Sequence, residues 1–362
     1  MPLTVKHLNA DTTFLLTFSP SFAPANKAAQ FPGSFTILID PWLAGHSSIL
    51  HPSFQISKFT TAPSIDSLAE LKEQPDLILI SQDKPDHCHR ETLCSLPKDT
   101  SFNILATPPA AKKIRSWKHF QEDRIHELEE WDDKRPDTIV DITLPRFSEN
   151  SADGLVTITN LVMKRDVTGC HNAVGITYRA PSTHTRNANG ETIDLFDTFN
   201  AEGMPTLQSR SPSIIQPVSG VSGAERKAKQ TTLSVLYSPH GVSPALVAPY
   251  ASQHLARLEA LPLTALFHSV NTQDNPWFMG GRVLAGAPGG VELVRKLGAK
   301  HWIGAHDEEK DNGGVSTLFL KSKRYEAEEV ENMLLNGGEE VGQCRGTEIH
   351  MLEAGQELRI ER

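Results

Sequence analysis

One loop of the sequence holds a dense group of potential metal ligands. Residues 81–89 read SQDKPDHCH and follow DLILI (76–80), a short apolar run typical of a buried strand. Carboxylate and imidazole groups bind divalent metals. A tight turn at the end of a rigid strand lets several side chains converge on one point. The loop therefore predicts a site at which a metal could be bound.

Regular strands and helices must position this loop. Short apolar runs bounded by turn residues predict strands at 12–18, 34–40, 76–81, 103–107, 155–160, 173–178, 232–237, 263–270 and 300–305. Helical spacing or helix-forming composition predicts helices at 65–73, 108–120, 248–261, 291–297 and 325–336. The two halves of the chain contain similar sets of predicted strands and helices, which favours an α/β sandwich of two sheets flanked by helices.

The motifs, taken in chain order, resemble those of the metallo-β-lactamase superfamily. Its members carry His-x-His-x-Asp-His between an apolar strand and a helix. Here Asp86 and His87 stand at the Asp-His pair, while Gln82 and Lys84 replace the two leading histidines. Upstream, ILIDPWLAG (37–45) matches the strand end that often precedes the motif.

Two later motifs extend the resemblance over about residues 10–310. VLYSPHG (235–241) places His240 where the superfamily has an aspartate that bridges two metals, and WIGAHDE (302–308) places His306 as the terminal metal histidine. The resemblance implies an α/β chain with an αββα four-layer sandwich of the metallo-β-lactamase type. We expect one such domain over 1–362.

The resemblance also implies a metal site that has lost some of the superfamily's ligands. In the superfamily two sets of ligands hold two metals, and the two leading histidines belong to the first set. Glutamine is a weak ligand and a protonated lysine cannot ligate, so this first set is mostly lost here. His171 is the one mid-chain candidate for it. The other set survives as Asp86, His87, His240 and His306, a sound ligand set for one divalent metal: zinc, or alternatively iron or manganese. In the alternative without metal, these histidines are hydrogen-bonded core residues.

Several other residues have a predicted role. Lys84 and Asp86 are the predicted catalytic residues. Lys84 would bind a substrate anion or polarise a carbonyl, or else form an ion pair with Asp83 or Asp86. Asp40 would orient a site histidine. His89 reads as a surface residue at a helix start.

Two further segments are each open to two interpretations, and a third predicts a simple turn. The loop 268–281 either lines a substrate pocket, with Trp277 and Phe278 as apolar walls, or is anchored by buried aromatics. The glycine-rich run 280–290 reads as a turn before the helix at 291–297. The polar segment 181–230 is either an insertion over the site or disordered chain without function.

Composition narrows the classes of partner. The formal net charge is −9 and no strongly basic block stands out, so we expect no nucleic-acid partner. No signal-peptide pattern and no apolar run of about 20 residues is present, so we expect no membrane association. The four cysteines are scattered without a CxxC pair, which favours a reducing, cytoplasmic location. Oligomeric state is not encoded in any recognisable pattern.

The resemblance to the superfamily implies a hydrolase-like enzyme on the metallo-β-lactamase fold. Its substrate would be a small molecule with an ester, lactone, amide or phosphoester bond. A non-hydrolytic or metal-free enzyme (lyase, cyclase or isomerase) is one alternative, and a non-catalytic binding protein is another.

Overall fold

The structure is a computed structural model that describes residues 1–49, 51–72, 74–186, 192–195, 213–214, 231–336 and 346–362. Most of the insertion predicted at 181–230 lies outside the described residues. Its role therefore stays a prediction, as does the single domain over 1–362.

Strands make up most of the regular structure. In chain order the strands are β1 (Pro2–His7), β2 (Phe14–Phe18), β3 (Phe35–Ile39), β4 (His46–Ile49), β5 (Gln55–Lys58), β6 (Leu77–Ile80), β7 (Asn103–Ala106), β8 (Ile125–Glu127), β9 (Val140–Leu144), β10 (Gly154–Val162), β11 (Asn172–Arg179), β12 (His184–Arg186), β13 (Thr192–Asp194), β14 (Ser213–Ile214), β15 (Leu233–Tyr237), β16 (Ala265–His268), β17 (Thr272–Asp274), β18 (Arg282–Ala285), β19 (His301–Gly304), β20 (Asp311–Gly313), β21 (Lys321–Lys323), β22 (Glu348–His350) and β23 (Glu357–Glu361). The α-helices are α1 (Arg90–Leu93), α2 (Pro108–Ser116), α3 (Pro244–Tyr250), α4 (Gly286–Leu297) and α5 (Ala327–Leu335).

Two large sheets carry the fold. The first has the order β23-β1-β2-β3-β6-β7-β8, and the second β14-β9-β10-β11-β15-β16-β19-β22. In the first sheet, β3, β6, β7 and β8 are parallel neighbours. In the second, β15, β16, β19 and β22 are parallel neighbours. Each sheet thus joins an antiparallel half to a parallel half.

The layers follow from alternation along the strands. Ile37 and Ile39 on β3 pack into the core between the two sheets, whereas Leu38 faces the helix layer outside the first sheet, where α1 and α2 pack. On the second sheet, Leu236 and Trp302 face the outer layer formed by α3, α4 and α5. Because both faces of the sheets are covered, the strands read as continuous apolar runs. The order helix, sheet, sheet, helix is the predicted αββα sandwich.

Two predictions about local structure are wrong. The helix predicted at 65–73 is reduced to a 3₁₀ turn at Leu68–Glu70, because apolar side chains three residues apart fit three residues per turn. The glycine-rich run is not a plain turn, since α4 already begins at Gly286. A Cβ at Gly290 would lie 2.2 Å from the Trp302 ring, so glycine lets this helix approach the sheet closely.

The helices are short. Within the part of the chain that the structure describes, no helix combines the length and apolarity needed to cross a bilayer.

Candidate functional site

The predicted site residues lie where parallel strands of both sheets end. Asp40 follows β3, and the loop with Asp86 and His87 follows β6, its parallel neighbour. In the second sheet, His240 follows β15 and His306 follows β19, in the same parallel half. Carboxyl ends of parallel strands meet at one edge, where α/β proteins commonly bind ligands.

Three buried imidazoles meet at this edge. His87, His240 and His306, the central histidine group, each place a ring nitrogen within 4.8 Å of those of the other two. The Nε2 atoms of His87 and His240 are 3.1 Å apart. Asp86 joins them, with Oδ2 3.5 Å from His306 Nε2. Donor atoms around a tetrahedral zinc ion with bonds of about 2.0–2.1 Å lie about 3.3 Å apart, so both distances suit such an ion.

Each imidazole of the central histidine group has an acceptor behind it. Nδ1 of His87 donates to Asp40 Oδ2 at 2.7 Å, and Nδ1 of His240 donates to the Val283 carbonyl at 3.0 Å. Nδ1 of His306 donates to Asp11 Oδ1 at 2.8 Å. A hydrogen bond from Nδ1 fixes the tautomer that leaves the lone pair on Nε2, the usual arrangement behind a metal-binding histidine.

The Asp40 carboxylate is itself held in place. It accepts hydrogen bonds from the Ser81 backbone N–H at 2.7 Å, from the Ser81 hydroxyl at 2.5 Å and from the Tyr237 hydroxyl at 3.0 Å. The predicted orienting role of Asp40 therefore matches its contacts.

The 3.1 Å contact between His87 and His240 requires something between the two nitrogens. Two lone pairs repel at that distance, so either a proton or a metal ion must lie there. Burial lowers the pKa of His87, but the charge of Asp40 and its hydrogen bond outweigh this and raise it. Burial, followed by the charges of His306 and His87, lowers the pKa of His240 well below its usual value.

A buried cation lies beside the group. Lys310 Nζ is 2.7 Å from Asp11 Oδ2 and 3.6 Å from Asp86 Oδ2. It also lies 5.2 Å from the centre of the Trp42 ring. Burial alone would raise the pKa of Asp11, but the charges of His306 and Lys310 outweigh it and lower the pKa to about 2. Asp11 is therefore an ionised acceptor.

The same cation acts on Asp86. Burial alone would raise the pKa of Asp86, but Lys310 and then the three histidines hold it well below its usual value. Asp86 is therefore ionised as well, as a metal ligand must be.

Sequence reasoning missed Asp11 and Lys310. Asp11 lies in the polar turn between β1 and β2, and Lys310 lies in the charged run HDEEKD, which looks like a solvated surface. Only the tertiary structure brings them together, 299 positions apart in the numbering of the chain. No local pattern signals such a pair.

The residues at the lost motif positions have local partners. Gln82 donates to the Cys170 carbonyl at 2.8 Å, and Lys84 forms an ion pair with Asp83 at 3.2 Å. The ion pair is one of the two roles considered for Lys84. His171 bonds through Nδ1 to Asp166 at 3.1 Å, and its ring centre is 6.4 Å from that of His240.

A cavity of about 630 Å³ opens onto the central histidine group. Asp86, His240 and His306 line its floor together with Lys310, and Lys84 lines its wall. This volume lies within the range of about 300–1,000 Å³ that small-molecule sites occupy. The Asp86 carboxylate and the imidazoles of His240 and His306 are therefore accessible to a small ligand, whereas His87 lies behind them and is fully buried.

The loop 268–281 contributes one wall of the cavity, as one of its two interpretations predicts. Phe278 lines the cavity, but Trp277 does not, and its side chain is 87% exposed. The alternative of a loop anchored by buried aromatics is wrong, because both rings are exposed. His89 does cap the start of α1, accepting from the Thr92 N–H, yet it is buried rather than on the surface.

Comparisons with known proteins bear on the fold alone. No family model and no curated protein matches the sequence. Among solved structures, the chain is similar to an isothiocyanate hydrolase from gut bacteria of Delia radicum, with 14% identity, 99% of this chain and 100% of the other covered, and a TM-score of 0.50.

A second similar structure is a mutant of the β-hydroxylase CmlA from Streptomyces venezuelae, with 14% identity and a TM-score of 0.50. The match covers 99% of this chain and 54% of CmlA, so this chain spans about half of that protein. The metallo-β-lactamase fold protein YhfI from Bacillus subtilis matches with 11% identity over 99% and 100% of the two chains, at a TM-score of 0.44.

The layer order agrees with the two structural similarities at a TM-score of 0.50. The chain has the metallo-β-lactamase fold, and its residues 82–87 resemble a degenerate form of the His-x-His-x-Asp-His motif.

Proposed function

We propose that the chain is a metal-dependent, hydrolase-like enzyme that acts on a small molecule. One divalent metal would be held by His87, His240, His306 and Asp86. The observation that carries this proposal is the convergence of ring nitrogens of three buried histidines whose Nδ1 atoms all have an acceptor within hydrogen-bond distance. Such an arrangement orients the imidazoles toward a common point before any ligand arrives.

The chain's own residues would bind and orient the substrate. A divalent metal supplies Lewis acidity and lowers the pKa of a coordinated water. Asp86, kept ionised beside Lys310, would be one of the groups that hold the metal and could also accept a hydrogen bond from the substrate. Lys84, on the cavity wall and partly exposed, could bind an anionic part of the substrate. Phe278 and the other apolar residues that line the cavity would exclude water from the rest of the bound substrate.

The ligands narrow the choice of metal, whereas the fold does not determine the reaction. Three imidazoles and one carboxylate favour zinc and also suit iron or manganese. The fold leaves the reaction open, since the similar structures are those of a hydrolase and a β-hydroxylase. An ester, lactone, amide or phosphoester substrate is therefore proposed from the chemistry of the site.

The metal content of protein purified without a chelating tag tests the proposal. We expect His306→Ala to hold about one equivalent of metal less than the unsubstituted protein, as measured by elemental mass spectrometry. His254→Ala is the matched control, because His254 is equally buried but bonds to Thr157, away from the site. An unchanged metal content in His306→Ala, or no metal uptake on reconstitution of folded protein, would refute the assignment.

One observation favours a metal-free or non-hydrolytic alternative. Lys310 already places a positive charge 3.6 Å from Asp86, so part of the carboxylate charge is compensated by the protein itself. Folded protein without metal that still converts or binds a small molecule would support this alternative. Incorporation of ¹⁸O from labelled water into the product separates hydrolysis from lyase, cyclase or isomerase chemistry.

A further inference from the structure

A second group of potential ligands lies on the neighbouring parallel strands β19 and β22. His301 is the first residue of β19, while Glu348 and His350 lie on the neighbouring strand β22. We call these three residues the edge group. His306 lies beyond the carboxyl end of β19, whereas His301 is its first residue, and the two histidines belong to different groups of potential ligands. The edge group is therefore separate from the central histidine group.

Strand pairing itself creates this arrangement. β19 and β22 are parallel, with His301 opposite Glu348 and Ile303 opposite His350. Residues two apart on a strand share a face, so Glu348 and His350 lie on the same face of β22. The pairing register places His301 beside both of them. Their proximity depends on backbone hydrogen bonding and needs no special loop.

The three donor atoms form a nearly regular triangle. His301 Nδ1 and His350 Nε2 are 3.0 Å apart. One oxygen of Glu348 lies 3.5 Å from the first nitrogen and 3.6 Å from the second. These separations are close to the distance of about 3.3 Å between ligands of a tetrahedral zinc ion. The carboxylate oxygen is too far from either nitrogen for a strong hydrogen bond, yet it faces both.

The exposure of the group also suits a metal. The side chains of His301 and His350 are 18% and 17% exposed, whereas that of Glu348 is 66% exposed. The imidazoles are thus held by their surroundings, while the carboxylate can move to meet an ion. Two imidazoles and one carboxylate are a known ligand set for zinc, with the fourth position left to water.

We propose that the edge group is a second binding site for a divalent transition metal, of the zinc class, which fastens the edge strand β22 to β19. The site does not depend on the proposed enzymatic function. Its consequence is structural: an ion bound across the two strands adds a link between segments that are otherwise joined by backbone hydrogen bonds. Among the residues that the structure describes, β22 is the last strand of its sheet, so this link would protect a sheet edge.

Isothermal titration of metal-stripped, untagged full-length protein with Zn²⁺ tests the site. We expect a class of about one equivalent whose affinity falls in Glu348→Gln and in His350→Gln by more than the 10–100-fold that loss of an outer partner of a metal ligand costs. Glu348 is largely exposed, so its variant should fold. If the central histidine group also binds zinc, a second class appears and survives both substitutions.

The matched control is His126→Gln, which removes another partly buried histidine, bonded to Asn103, without touching either group. It should leave both classes unchanged. The proposal is overturned if no class responds to Glu348→Gln and His350→Gln. It is also overturned if His126→Gln weakens binding equally, which would indicate unspecific binding by histidines.

Discussion

The central histidine group and the edge group contain similar ligands but differ in what lies behind them. Every imidazole of the central group donates Nδ1–H to a carboxylate or a carbonyl. In the edge group, the described residues provide no hydrogen-bond partner for the remaining ring nitrogens, His301 Nε2 and His350 Nδ1. The comparison indicates that the hydrogen-bond partners behind the ligands, more than the type of ligand, distinguish a preorganised site from an adaptable one.

Charge is the second difference. The central histidine group lies beside the buried carboxylate of Asp11, the partly exposed carboxylate of Asp86 and the largely buried ammonium of Lys310. The edge group has one largely exposed carboxylate. The central site therefore depends on balanced buried charges, and the edge site does not.

The largest expected effect comes from removing the buried cation. Lys310→Met should remove the ammonium that pairs with the fully buried Asp11, leave His306 as the remaining partner, and lower the free energy of unfolding by about 3–5 kcal/mol. Urea denaturation measures this change. Lys323→Met, which removes an exposed lysine paired with Glu329, is the control and should remain close to wild type. Equal stability of the two variants would contradict the importance of the buried charges.

The next effect concerns the acceptor behind His87. Asp40→Asn should weaken metal binding at the central histidine group about 10–100-fold, because the neutral amide holds the His87 tautomer less firmly. Zinc titration of the folded variant measures this loss. The edge group provides the internal control, since its affinity should not change. An unaltered central affinity would show that the outer partner is dispensable and remove the basis of the comparison.

The smallest effect concerns a buried histidine that belongs to neither group. Burial lowers the pKa of His254 to about 4, against 6.5 for the ordinary side chain. Below pH 6.5 the unfolded chain takes up a proton that the folded protein refuses, so stability falls as the pH decreases toward 4 and levels off below it. Near pH 5.5 the loss should be on the order of 1 kcal/mol.

His254→Gln should make this decline shallower, as measured by urea denaturation at several pH values. The matched control His51→Gln changes an exposed histidine and should leave the curve unaltered. If His254→Gln leaves the slope intact, then His254 does not cause the acid sensitivity. The histidines of the two ligand groups would then be the next to test.

The sequence predicts the parts of the molecule that depend on local pattern. Runs such as LILI in β6 are apolar because both faces of the strand are buried, so their strand character is readable. His87, His240 and His306 lie in the loops that follow such runs, so their motif positions could be recognised. Asp11 and Lys310 could not, because their partnership exists only across the assembled sheets. The edge group was missed for the same reason, since pairing of β19 with β22 creates it.

The placement of the central histidine group at strand ends of both sheets has a consequence for folding. Its surroundings run from Asp11 to Lys310, so no short fragment of the chain contains the site. An ion that binds there recognises only the assembled sandwich and stabilises it as a whole, by about 2.7 kcal/mol at a hundred times its dissociation constant. The edge group spans only His301 to His350 and can open with its own sheet edge. Occupancy of the central site would thus report completion of the fold, and metal loading would be a late event in the maturation of the chain.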